Sequence, residues 1–246
     1  MEILGALLAG SFIGAVLGFV GAGGAMLSVP ILMYGFGFEP KLATTAVLAV
    51  VFLAALSGVI PKARKGQILY RDAFVISSIG LITNLGFAIV AEKISDHVIT
   101  TGFAAVLLFA GWSMLRPPKL EAQKRMPLHI LVLMSLLIGS MTGLFGIGGG
   151  FLAIPVLVLF FGTPQVIAAG TSLLIIALNS LISFIGHHAL WADVQWHIPI
   201  FMAAAAVVIA QLASHLSART SPKSLRRSFA YLLFAVSIFT LVKTWL

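Results

Sequence analysis

Two stretches of glycine at matching spacing carry the chemistry this chain can offer. Gly18-Phe-Val-Gly-Ala-Gly-Gly-Ala-Met-Leu-Ser-Val-Pro30 recurs 125 positions later as Gly143-Leu-Phe-Gly-Ile-Gly-Gly-Gly-Phe-Leu-Ala-Ile-Pro155. Glycine holds the first, fourth, sixth and seventh places of both, leucine the tenth and proline the thirteenth. Each glycine weakens a helix by about 1 kcal/mol relative to alanine. Gly21, Gly23 and Gly24 in one copy, and Gly146, Gly148, Gly149 and Gly150 in the other, should therefore interrupt one. A helix resuming after such a break points its first amide N–H groups and its positive dipole end at the gap. Main chain alone then makes a site for an anion. Gly14 and Gly139 extend the match one turn upstream, and their four-residue spacing to Gly18 and Gly143 reads as close helix packing.

Side chains add neutral donors. Thr171 and Asn179 are eight residues apart and share a helical face two turns apart; with Ser172 they could complete the donor set. Thr45 is the repeat mate of Thr171, although a threonine ordinarily bonds back onto its own helix. Asn179, deep in an apolar run, must either bridge helices or meet a ligand. Asn84 and Gln211 read as helix-to-helix hydrogen bonds. His187 and His188 could gate a substrate or relay protons, since histidine titrates near neutrality. Asp72 and Glu92 fall at the ends of spans, where a carboxylate is solvated or paired. A metal would want partners at defined spacing, and only Asp193 lies near the histidines, so no metal or cofactor is expected. The absence of cysteine rules out disulfides and thiolate chemistry.

These groups are set in a chain of 246 residues that is 60% hydrophobic and 9% charged, with mean hydropathy +1.12. That composition is all-α and polytopic in the membrane. The net charge of +8 does not indicate a nucleic-acid partner. Twelve of the fifteen basic residues fall in three short loops, around Lys62 to Arg71, Arg116 to Arg125 and Arg219 to Arg227, as the positive-inside rule produces. Glu2 in place of a basic n-region makes the N-terminus a first span rather than a signal peptide.

Taken in order, an apolar run at 3–20 is followed by a shorter one at 25–37, about 20 Å long as helix against a core of roughly 30 Å. It either spans with a tilt or re-enters. A helix opens at Glu39-Pro40 and runs to about Ile60, with Pro61 as its end; spans follow near 73–91 and 97–115. The second half repeats the plan at 128–146, 150–161, a helix from Pro164 to about Ile185, a loop at 186–197, then 198–214 and 228–245. The expected organisation is a first transmembrane repeat at 1–115, a cytoplasmic linker at 116–127 and a second repeat at 128–246. Each repeat holds a glycine-broken or re-entrant pair and three spans, eight to ten helical segments in all. Placing the basic loops in the cytoplasm puts loops 61–71 and 186–197, which are repeat equivalents, on opposite sides, and both termini outside. The repeats are therefore inverted, an arrangement of alternating-access carriers whose broken helices meet near the midplane.

The duplicated G-x-x-G-x-G-G-x-x-L-x-x-P, with Ala169-Gly-Thr-Ser172 on the following helix, resembles the TauE/SafE family, also called the toluene sulfonate uptake permease family. The resemblance covers nearly the whole chain. It implies a secondary transporter in the inner membrane of a prokaryote, not an enzyme, moving a small sulfur oxyanion such as sulfite, thiosulfate or sulfoacetate, with H+ or Na+ as a coupling ion. The first copy departs from the pattern in having Ala43-Thr-Thr-Ala46 where the second has Ala-Gly-Thr-Ser. An anion channel, and more remotely an integral-membrane enzyme on lipid substrates, are the alternatives. The small-residue stripes permit a homodimer.

Overall fold

The computed structural model describes residues 2–22, 24–91, 93–115, 127–145, 150–217 and 219–245, so most of the 116–127 linker lies outside the described residues, as does Glu92. Ten α-helices account for the described fold. They are α1 (Glu2–Val20), α2 (Gly24–Pro30), α3 (Pro40–Arg64), α4 (Tyr70–Ala91), α5 (Asp96–Leu115), α6 (Leu128–Phe145), α7 (Gly150–Phe161), α8 (Gln165–Gly186), α9 (His197–Ser217) and α10 (Pro222–Trp245). A π-helical turn, Ile31–Gly35, prolongs α2, and a 3-10 turn, His188–Leu190, follows α8. Six of the helices are long and apolar enough to cross a membrane: α1, α3, α5, α8, α9 and α10. Leu8, Ile82, Phe109, Leu133 and Leu212 lie exposed on helix surfaces, as side chains solvated by lipid would be.

Two of the boundaries that differ from the sequence expectation fall at prolines. Pro61 does not end α3: the helix continues through it to Arg64 and is capped at Lys65. Proline costs one ladder bond and some ring crowding, which a packed membrane helix tolerates. Helix α10 starts at Pro222 rather than near 228, because proline suits the first helical position and Leu225 and Phe229 are already buried. The basic Lys223, Arg226 and Arg227 thus sit on its first turns.

Close packing organises the bundle. Gly10, Gly14 and Gly18 on α1 lie against the backbone of Met202, Ala206 and Ala210 on α9, so these two helices run parallel in a four-residue register. A Cβ on Gly14 would sit 2.5 Å from the Ala206 carbonyl oxygen. The equivalent contact recurs with the two repeats exchanged, where Gly139 on α6 meets the backbone of Gly80 on α4. The packing reading of these glycines therefore holds at Gly14, Gly18 and Gly139, where small residues let backbones approach. Ser57 donates to the Val207 carbonyl and Ser214 to the Gly58 carbonyl, both at 2.6 Å, tying α3 to α9.

Helices α3 and α8 lie side by side and antiparallel. Near one end Thr45 Oγ1 of α3 is 2.9 Å from His187 Nδ1, just past α8. Near the other, the Leu69 amide, just past α3, donates to Thr171 Oγ1 at 3.0 Å. The short run after the first glycine cluster runs back alongside α1 for most of its length. Phe36, at its end, packs its ring against Gly5 at the start of α1, while Leu17 at the far end covers Gly24. Buried side chains form two clusters. One holds most of α1 with α3 and α9; the other holds α4, α5, α6, α7, α10 and the end of α1; α8 contributes to both.

Candidate functional site

Four helix ends converge where α8 begins. Gly21 breaks α1 with φ of +85°, a conformation glycine adopts without the Cβ clash. It is buried directly against Ala169: a Cβ there would lie 2.6 Å from the Ala169 Cβ. Ala6, Ile13 and Leu17 on the body of α1 belong to one core cluster, whereas Val20 and Ala22 at the break belong to the other. The break therefore marks where the chain passes between the two packed bodies. Ala169 is the fifth residue of a 22-residue helix, so the break lies closer to the basic-loop end of α8 than to its middle. Helix α1 there stops about one turn short of the end of its parallel partner α9.

The neighbouring residue, Gly170, faces the end of α3. Its Cα surface abuts the Gln67 carbonyl, and a Cβ would come within 3.2 Å of the Lys62 Cβ. Lys62 is the unexpected member. The sequence places it in a basic loop, yet it is fully buried on α3 and donates to Ser217 Oγ of α9 at 2.6 Å. Ser217 in turn donates to the Ser214 carbonyl at 3.0 Å. Gln165, the first residue of α8, is 4% exposed, and neither of its amide atoms has a hydrogen-bond partner among the described residues. The Oε1 of Gln67 is likewise buried without one. Buried polar groups are normally paired, and each exception asks for a reason.

The residues singled out in the sequence are distributed as follows. Gly21, Gly24 and Ser172 are buried in this region, and Thr171 closes it by accepting from Leu69 while donating to the Ile167 carbonyl at 2.8 Å. Gly150 is the first residue of α7; Gly23, Gly146, Gly148 and Gly149 lie outside the described residues. Thr45 stands apart, at the opposite end of the α3–α8 pair. Its hydroxyl bonds back to the Lys41 carbonyl at 2.9 Å and meets His187 there. His188 is exposed, with Nδ1 3.2 Å from the Ile185 carbonyl. Asn179 lies between the two ends, its Oδ1 buried and without a partner among the described residues. No three His, Asp or Glu gather as a metal would require among the described residues.

Two hollows border these elements. One of about 300 Å³ lies between the ends of α3 and α9 and is lined by Ile60, Pro61 and Leu212 together with Arg64, Gln211 and His215. The other, about 380 Å³, lies between α1, α2, α5 and α10 and is lined mainly by apolar side chains, with Thr100 and Thr240.

Comparison with known proteins gives a consistent result. The pattern of a family described as sulfite exporter TauE/SafE matches residues 6–240. A probable membrane transporter protein of Xylella fastidiosa strain Temecula1 is 28% identical over 96% of this chain and 94% of its own length. A probable membrane transporter protein of Methanocaldococcus jannaschii is 32% identical over 49% of this chain and 47% of its own length. One of Bacillus subtilis is 24% identical over 72% of this chain and 75% of its own length.

Proposed function

The chain belongs to the sulfite exporter TauE/SafE family of membrane transporters, and on that premise we propose that it is a secondary carrier of a small sulfur-containing oxyanion. The anion is held beside the glycine breaks and exposed to each side of the membrane in turn. The observation that carries this reading is the wedging of Gly21 against Ala169, where α1 passes from one core cluster to the other. A glycine hinge at the seam between two packed bodies is a place where rocking of one body on the other would open or close a path.

The packing supports an inverted pair of repeats. The Gly14–Ala206 contact and the Gly139–Gly80 contact exchange under the repeat, and the loops that follow α3 and α8 lie at opposite ends of that antiparallel pair. With the basic loops in the cytoplasm, the α8 start faces inward and the His187–Thr45 pair faces outward, and both termini lie outside. The repeats divide at the linker 116–127.

The test is a panel of anions on the detergent-purified protein, read by thermal shift. Sulfite, thiosulfate, sulfoacetate, methanesulfonate, sulfate and phosphate are compared, with and without sodium and at two pH values. At least one sulfur oxyanion should raise the melting temperature saturably, since binding to the folded state alone stabilises it. A dependence on sodium or on pH then identifies the coupling ion. No shift with any member of the panel would remove this reading.

A further inference from the structure

The sequence predicts a neutral site built from amides and hydroxyls, but the fold places a charge beside it. Lys62 is the one fully buried cation among the described residues, and its hydrogen bond goes to a neutral hydroxyl, Ser217. A buried ammonium without a carboxylate partner is expensive, since desolvation is offset only by a counter-charge and full hydrogen bonding. Lysines near a helix end ordinarily snorkel outward to water; Arg64 and Lys65, one turn on, do so. Lys62 instead points inward.

A second feature lies at the start of α8, the helix on which Lys62 packs at Gly170. Gln165 and Ala169 are four residues apart and so share a face of α8, and Ala169 is the residue that packs on Gly21. The buried, unpartnered Gln165 amide therefore lies on the side of α8 that meets the glycine break. The adjoining face, at Gly170, meets the Lys62 backbone turn and Gln67, whose Oε1 is also unpartnered. Helix α8 is 22 residues long, and its N-terminus adds the positive end of its dipole to the same place.

We propose that Lys62 and Gln165 form a charged subsite for the transported anion at the start of α8. Lys62 supplies the positive charge, and the Gln165 amide a donor group and an acceptor. The proposal rests on the carrier reading above and narrows it. One ammonium matches one negative charge, so the favoured substrate is a compact, singly charged oxyanion such as a sulfonate head group or hydrogensulfite. An amide that also accepts a hydrogen bond suits a group carrying an acidic hydroxyl.

A purely structural Lys62 would clamp the last turn of α9 through Ser217, and the experiment separates the two roles. Full-length wild type, Lys62→Met, Gln165→Leu and Ser217→Ala are titrated with sulfite and with methanesulfonate, reading melting temperature and apparent Kd. Lys62→Met should raise Kd for both anions at least about tenfold, since it removes a desolvated charge partner. Gln165→Leu should melt at or above the wild-type temperature, because it removes an unsatisfied buried amide, and yet bind several-fold more weakly. Ser217→Ala should melt lower and change Kd far less than Lys62→Met, because the ammonium remains. Wild-type Kd in a folded Lys62→Met or in Gln165→Leu overturns the proposal while leaving the carrier reading intact. If Lys62→Met does not fold, Gln165→Leu alone decides. If neither anion shifts the wild type while another in the panel does, the substrate class assigned here is wrong; if none does, the carrier reading itself has failed.

Discussion

Gly21→Val is expected to lower the melting temperature of the purified protein by about 10 °C, and to do so before any effect on transport is considered. Two costs combine. A β-branched residue at φ +85° is forced into a region that costs an L-residue roughly 1–2 kcal/mol. Its Cβ would also lie 2.6 Å from the Ala169 Cβ and 2.7 Å from the Ala169 Cα, an overpacking that costs typically about 1–3 kcal/mol. At about 2–4 °C per kcal/mol for a chain of this size, the total reaches the shift stated. Gly21→Ala with Ala169→Gly should recover part of the loss of Gly21→Ala, because the second change removes the nearest atom while the strained φ remains. Equal melting of Gly21→Val and wild type would mean that the break is not wedged between the two packed bodies.

Gly149→Leu should have the opposite signature, with folding kept and transport lost. Helix α7 starts at Gly150 and runs twelve residues to Phe161, so its first-turn amides at Gly150, Phe151 and Leu152 need partners outside the helix. They belong to the second glycine break, which an anion leaving the start of α8 must pass to reach the other side. The melting temperature should stay within a few degrees of wild type, while saturable sulfite flux falls by about a hundredfold. A folded mutant with unchanged flux would exclude the amides of α7 from the path.

Much of the fold was legible because apolar runs bounded by glycine, proline or charge leave little freedom. The 150–161 segment matches Gly150–Phe161, and the span near 97–115 differs from Asp96–Leu115 by one residue. The glycine seam was readable from four-residue spacing alone. The site was less so. Ending α3 at Pro61 turned Lys62 into a loop residue, and the positive-inside rule then absorbed it. Had the helix been continued, the buried series Val47, Val51, Ala54, Gly58 would have reached Lys62 by steps of three and four. Gln165 follows a proline at a helix start and looked like an ordinary polar terminus. Its place at the head of the stripe Ala168, Ala169, Ser172, Ile176 was the available signal. The meeting of Thr45 with His187, 142 positions apart, is a product of tertiary packing that no local pattern encodes.

The account stands or falls on movement of an anion by a carrier that exposes one site to alternate sides. Counterflow in proteoliposomes measures that directly: vesicles loaded with unlabelled sulfite and diluted into trace radiolabelled sulfite. The account predicts transient accumulation of label above equilibrium, saturation with external sulfite, and loss of both in Gly149→Leu. A flux that rises linearly with concentration and shows no overshoot, or no flux in vesicles holding folded protein, would contradict it.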